Sequence, residues 1–443
     1  MGHAVRSCVL GMALAAEIKL PQAARSDLYY ALLMKDAGCS TNSSLMYRIL
    51  GTDDIRGKRD ATITDWTRTS WESLEYALTH VMTGRPFLER VRGIFNLAVH
   101  QRQNAHQLNQ IRCERGSAIA LRMGLSNGTA EAIHSVNEHW NGKGEPAGLR
   151  KEEIPVMSRI MSIAQTADIF FSAYGPAEAI DVVTERSGRW FDPQLVKAFR
   201  AAATRPQLWE DVVQAPTKVL ELEPVAHRFC ADEETLDNIC LAFADVIDAK
   251  SPFTYRHSTG VAGAAVAVAR TLGLPEDEVK MLRRAALLHD VGKLGVSNAI
   301  LDKPDKLTES EWAVVKQHPQ HSYQILKRIP GFAGISEIAA SHHEKLDGSG
   351  YFRGIAGDRM SVATRILVVS DVYDALAAKR PYRDALPLET VFGIMHKDAP
   401  NRLDASCLEA LQCSCDTART VTDDLLNLSL NVQQEQSVCA QVS

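Results

Sequence analysis

Apolar residues along this chain recur at spacings of three and four far more often than they alternate. Between residues 275 and 290, Val279, Leu282, Ala286 and Leu287 fall at helical spacing. Residues 362–378 contain Ile366-Leu367-Val368-Val369, a run with strand-like composition. Yet Ile366, Val369, Val372, Tyr373 and Leu376 share one helical face, the segment continues into Ala375, Ala377 and Ala378, and Pro381 bounds it, so it reads as helix. The expected fold class is all-α. Residues 204–235 hold Pro206, Pro216 and Pro224 among mixed charges and read as a connector. From residue 414 the chain is Ser/Thr/Gln-rich without periodicity, the composition of a loose tail.

The pattern also repeats. The segment SVNEHWNGKGEPAGLRKEEIPVMSRIMSIAQTADIF, starting at Ser135, aligns without gaps on SHHEKLDGSGYFRGIAGDRMSVATRILVVSDVYDAL, starting at Ser341, at an offset of 206. Glu138 meets Glu344, Gly142 meets Gly348, Gly144 meets Gly350, Gly148 meets Gly354, and Arg159 meets Arg365. Upstream, His3 meets His257 and Ala31–Asp36 meets Ala285–Asp290 at an offset of 254, so the first copy carries 48 extra residues between Cys39 and Arg112. The chain is expected to contain one helical fold twice. In the second copy a helix of about Leu236 to Ala249 precedes His257; its counterpart before His3 is missing, so either the fold tolerates the loss or the recorded start lies downstream of the natural one.

Composition narrows the classes of function. The 443 residues suit two to three domains, and 45% hydrophobic with 23% charged residues is an ordinary globular balance. A net charge of -5 argues against a nucleic-acid polymer or an acidic membrane as partner. The nine cysteines include no CxxC pair and read as reduced cytosolic thiols. No apolar run has membrane-spanning length, and Glu17 and Lys19 argue against a signal peptide, so the expected location is cytoplasmic.

The candidate chemistry lies in the second copy. Six of the 14 histidines fall between His257 and His343. The ordered set is His257, His289-Asp290 with Lys293 one turn later, His318, His342-His343 and Asp371. Imidazole and carboxylate suit Mn, Fe and Zn, and seven protein donors exceed what one ion can use together with water, so two ions are expected. Adjacent donors on a helix diverge by about 100°, so His289 and Asp290 can serve different ions or Asp290 can bridge both. Two ions about 3.5 to 4 Å apart suit phosphoester hydrolysis by a bridging hydroxide. Lys293 can meet phosphate as a point charge, and Asp347-Gly348-Ser349-Gly350-Tyr351 lets backbone approach a ligand. His80, His100, His106, His321 and His396 stand outside the ordered set and are left out.

These residues carry a resemblance. RAALLHDVGKLGVSNAILDKPDKLTESEW, HHEKLDGSGY and SDVYDALAAKRPYR look like the HD-GYP subgroup of the HD-domain metal-dependent phosphohydrolases, over about residues 240–412. The resemblance implies an all-helical domain with an iron or manganese site, hydrolysing cyclic di-GMP to pGpG or GMP. It assigns His257, His289, Asp290, His318, His342, His343 and Asp371 as metal ligands, with Asp290 and Lys293 catalytic. Lys293, Gly350, Tyr351, Arg380 and Arg383 would contact the dinucleotide. Two positions depart from the pattern. The signature proline is Phe352, which removes a rigid ring from the loop. Trimetal members place a glutamate four residues before the first histidine; here it is Phe253, so two divalent ions are expected rather than three.

The expected organisation is therefore two tandem HD-type bundles: a degenerate one at 1–203, the connector at 204–235, the catalytic one at 236–413 and the tail at 414–443. In the first copy His3 and Asp36 remain, while Lys35, Arg112, Val136, Asn137 and Gln165 occupy the other ligand positions. This half is expected to serve as a docking or dimerising domain, with anion binding by Lys35 and Arg112 a lesser alternative. For the chain as a whole, the alternatives are hydrolysis of another cyclic dinucleotide or nucleotide phosphate, or a dinucleotide-binding scaffold of weak activity.

Overall fold

The computed structural model describes residues 2–50, 79, 87–225, 229–254, 256–378 and 384–417. Among them the regular structure is helical, with no strand beyond two isolated bridges, and the fold is all-α. The residues form two compact units: Met1–Ala242 with Ala249–Pro252 and Ser297–Lys306, and Phe243–Asp248 with Phe253–Val296 and Leu307–Ser443.

The first unit contains α1 (His3–Glu17), α2 (Gln22–Met34), α3 (Ser43–Leu50), α4 (Phe87–Arg122), α5 (Asn127–His134), α6 (Val156–Tyr174), α7 (Pro176–Glu185), α8 (Pro193–Ala203), α9 (Pro206–Val213) and α10 (Ala215–Glu221). Helix α1 is buried nearly all round by Cys8, Val9, Leu10, Met12 and Leu14, and α2 and α6 pack on it. A 3₁₀ turn at Ala37–Asn42 lies against α4.

The expected connector is corrected here. Residues 206–221 form α9 and α10, which bury Leu208, Val212, Ala215 and Val219 and pack on α1. Pro206 and Pro216 sit in the first turn of each helix, where the missing N–H leaves no hydrogen bond unmade. The prolines that resemble breakers are helix starts.

The second unit repeats the plan. Helix α11 (Glu233–Asp248) leads into it, followed by α12 (His257–Thr271) and α13 (Glu276–Leu288). The short α14 (Asn298–Leu301) belongs to the first unit. Then come α15 (Glu309–Val315), α16 (His318–Leu326), α17 (Ala333–Ala340), α18 (Val362–Ala377) and α19 (Leu388–Asp398). Helices α13 and α18 pack on α12 as α2 and α6 pack on α1, and a 3₁₀ turn at Val291–Gly295 meets α16 as Ala37–Asn42 meets α4.

Polar devices repeat as well. The buried Glu138 carboxylate accepts from the N–H groups of Ala147, Gly148 and Leu149; Glu344 accepts from those of Arg353, Gly354 and Ile355. Arg159 pairs with Asp192 at 2.7 Å and Arg365 with Asp404 at 3.1 Å. Gly144 and Gly350 stand where a Cβ would lie within 2.5 Å of the backbone of Glu138 and Glu344 respectively, so both loops require glycine there. Residues 405–417 form a further helix, which takes in 414–417 of the expected tail; the rest of that tail lies outside the described residues.

Candidate metal centre

All seven candidate ligands converge in the second unit. His257 opens α12, His289 and Asp290 follow α13, His318 opens α16, His342 and His343 follow α17, and Asp371 lies in α18. Asp290 is central. Its Oδ2 lies 3.4 Å from Nε2 of His289 and 3.9 Å from Nε2 of His257. Its Oδ1 lies 3.3 Å from Nε2 of His318 and 3.6 Å from Nε2 of His342. Asp371 joins the first side, with Oδ1 3.1 Å from His257 Nε2, and its Oδ2 is 3.8 Å from His343 Nδ1. Three donor triplets each gather within 4.8 Å: His318, His342 and His343; His257, His289 and Asp371; His289, Asp290 and His342.

Backbone contacts set the tautomers. Nδ1 of His289, His318 and His342 each donates to the carbonyl three residues earlier, that of Ala286, Val315 and Ala339, at 2.6–2.7 Å. Nε2 of each ring is thereby turned toward the centre. Nε2 of His318 and Nε2 of His342 are 3.1 Å apart, two lone pairs with no proton between them, and His289 Nε2 and Asp290 Oδ1 are buried without a hydrogen-bond partner among the described residues. Divalent cations held here would satisfy these four atoms, so the donor set fits such ions.

Electrostatics agree with the geometry. Burial lowers His318 and His342, and brings His343 down to about 3, which keeps these rings neutral. Burial also disfavours charge on His257, but Asp371 and Asp374 outweigh it and raise it to about 10. Burial works against ionised Asp290, yet His289 and Lys293 hold it well below the usual carboxylate range. Lys293 Nζ is 2.5 Å from Asp290 Oδ2.

Of the expected substrate contacts, Tyr351 donates its N–H to His343 O at 3.1 Å, and its ring lies 4.8 Å from the His343 ring. Gly350 makes the close approach that brings it there. Arg380 and Arg383 lie outside the described residues, as does the Phe253 side chain.

Sequence reasoning missed two residues. Asp374 Oδ2 is 2.6 Å from Nδ1 of His257 and orients that ring. Its signal was available, because Asp168 matches it at the same offset and holds Nδ1 of His3 at 2.6 Å. Ser322 accepts from the Gly292 N–H and donates to His289 O, tying the turn after the His-Asp doublet to α16. Its counterpart is Gly116, so the repeat carried no signal for it.

In the first unit two of the imidazole positions hold cations, while Val136 and Asn137 stand at two others. Lys35, at the position of His289, is fully buried, with Nζ 2.6 Å from Asp36 Oδ2. Arg112, at the position of His318, donates to Asp36 Oδ1 at 3.0 Å. Asp36 is thus an anion that both of these cations hold within the unit.

The chain matches the family described as the HD domain over residues 97–195 and 242–407, one segment in each copy. It belongs to the HD-domain family, with the HD-GYP pattern in its second copy and a degenerate first copy. It is 38% identical over 412 residues to 3'3'-cGAMP-specific phosphodiesterase 3 of Vibrio cholerae, covering 93% of this chain and 89% of that protein. It is also 38% identical over 182 residues to the cyclic di-GMP phosphodiesterase response regulator RpfG of Xanthomonas campestris, covering 41% and 47%. The crystal structure of a cyclic GMP-AMP specific phosphodiesterase of V. cholerae superposes with a TM-score of 0.61 at 34% identity, over 94% of this chain and 92% of that one. No helix among the described residues is long and apolar enough to cross a membrane.

Proposed function

We propose that this chain is a metal-dependent phosphodiesterase of cyclic dinucleotides, with two divalent ions, iron or manganese, held by the seven residues around Asp290. The observation that carries the reading is the division of donors about Asp290: His257, His289 and Asp371 on the Oδ2 side, His318 and His342 on the Oδ1 side, with His343 beside the latter two. Such ions would supply Lewis-acid charge to the phosphodiester and to the water that attacks it. The chain's own residues do the rest. Backbone carbonyls and Asp374 hold the imidazoles in the ligating tautomer. Lys293 restrains Asp290 and is the residue proposed to meet phosphate. Tyr351, its ring tilted against His343, lines the approach together with Gly350.

Cyclic GMP–AMP is the first substrate to test, because the relative named for it matches nearly the whole chain. Cyclic di-GMP is the second reading, supported by RpfG over 41% of the chain and by the HD-GYP pattern. The test is turnover of both dinucleotides by full-length protein loaded with Mn or Fe, followed by product chromatography. Turnover that His289→Ala abolishes is expected. No turnover of either by metal-replete protein sinks the proposal, and tight binding without turnover favours a scaffold.

A further inference from the structure

Helix α15 begins with a capping box. Thr308 Oγ1 accepts from the Glu311 N–H, and the Glu311 carboxylate accepts from the Thr308 N–H at 2.7 Å. The box fixes the register of this short helix, so that Trp312 and Lys316, four residues apart, share one side. The Trp312 side chain remains 43% exposed. Its ring meets Tyr351 edge-on, 6.5 Å between centroids, and Lys316 Nζ lies 5.7 Å from the Trp312 ring and 5.9 Å from the Tyr351 ring. Tyr351 in turn lies tilted against His343, 4.8 Å between ring centroids, and His343 is a member of the metal-donor set. A continuous wall of rings therefore runs outward from the centre, ending in an indole that the unit leaves half in water beside an ammonium.

A large exposed aromatic next to a reaction centre is a ready stacking surface, because every nucleobase has a π-face, and a neighbouring lysine favours an anionic ligand. Resting on the proposed function, we infer that Trp312 stacks the base of the cyclic dinucleotide remote from the scissile phosphate, and that Lys316 faces the second phosphate. Both are positioning residues. They contribute binding and touch no reacting atom.

The experiment uses full-length, metal-loaded protein and two substrates: 3'3'-cyclic GMP–AMP and bis(p-nitrophenyl) phosphate, a diester without nucleobases. Trp312→Ala is expected to raise KM for the cyclic dinucleotide about 10- to 100-fold with kcat little changed, the size of one lost base–aromatic stack. Hydrolysis of the base-free diester stays as in the unaltered protein, and Trp312→Phe retains most of the affinity. Calorimetric binding of a phosphorothioate analogue of the dinucleotide gives the same ranking without turnover. Lys316→Ala weakens that binding, and the difference shrinks at high salt. An unchanged KM and unchanged analogue binding in Trp312→Ala overturn the inference alone. Equal loss on both substrates, repeated in Trp312→Phe, also overturns it, because that marks a structural role. If the unaltered protein cleaves the base-free diester but neither binds nor cleaves cyclic dinucleotides, the proposed function fails and the inference with it.

Discussion

Lys35 Nζ and the Asp36 carboxylate lie 2.6 Å apart in the first unit, at the positions His289 and Asp290 hold in the second. One copy has replaced a metal-type centre with a lysine that is fully buried and an arginine, Arg112, both bonded to the same aspartate. Such an ion pair costs desolvation when formed, but it is costlier to break on one side only. Asp36→Ala leaves the Lys35 charge buried beside Arg112, and is expected to destabilise the unit by about 3–5 kcal/mol. Adding Lys35→Met recovers most of that loss. Denaturant unfolding of the single and double variants checks it; a single variant as stable as the parent sinks the idea.

The same pair sets an acid dependence. Burial would raise the Asp36 pKa, but Lys35 and Arg112 outweigh it and hold the group below the ordinary aspartate range. A depressed carboxyl contributes stability that is fully present above its unfolded pKa of about 4 and is lost as pH falls toward the lower folded value. The parent's stability is therefore expected to decline below about pH 4 more steeply than that of Lys35→Met/Asp36→Ala. Parallel pH–stability profiles would count against it.

How much of this was legible in the sequence depends on the residue. The 3.6-residue period of Ile366, Val369, Val372, Tyr373 and Leu376 was, and they lie in α18 as a helix despite their strand-like composition. The convergence of the seven candidate donors was, because metal-type residues in a fixed order are rare by chance. The helices at 206–221 were not, because first-turn proline and linker proline look alike. Lys35 showed in the alignment as a lost ligand; its full burial and its pairing emerge only when the chain folds. Ser322 acts through two backbone groups, which no motif encodes.

Metal loading should release protons. In the metal-free centre His257 is raised to about 10 by Asp371 and Asp374 despite its burial, so it carries a proton at neutral pH that a metal must displace. His318, His342 and His343 are lowered and are already neutral. Apparent metal affinity is expected to rise with pH across the neutral range. Calorimetric titration of Mn in buffers of different ionisation enthalpy measures the proton count, and identical heats in both buffers would contradict the prediction.

Asp374 should matter without touching the metal. It fixes His257 through Nδ1 at 2.6 Å, and Gly260 leaves the space it needs: a Cβ there would lie 2.0 Å from Asp374 Oδ1. Asp374→Asn and Gly260→Ala are each expected to lower metal affinity or activity by about 10- to 100-fold, the usual size of a lost outer-shell partner. Because both act on one contact, the double variant should lose little more than either single change. Metal content and turnover, measured together, test this; additive losses would separate the two residues.

Phe352 stands where the HD-GYP pattern has proline, and packing replaces the constraint of the proline ring. Its ring lies 6.4 Å from Tyr323, and the Arg353 guanidinium sits over both, 4.9 Å from Phe352 and 4.6 Å from Tyr323, while also pairing with Glu337. The residue before it, Tyr351, contacts His343, so a loosened loop would misplace Tyr351 at the edge of the centre. Each stacked contact is worth about 0.5–1 kcal/mol at an exposed site, so Phe352→Ala is expected to raise KM about threefold to tenfold while leaving metal content unchanged. Arg353→Ala should act in the same direction, and non-additively with Phe352→Ala, because both belong to one stack. Phe352→Pro, which restores the signature ring, should keep KM nearer the parent than Phe352→Ala does. Steady-state kinetics on the four variants decide it: if Phe352→Ala matches the parent, Tyr351 is positioned by its other contacts, and the Phe352–Arg353–Tyr323 packing has no part in substrate binding.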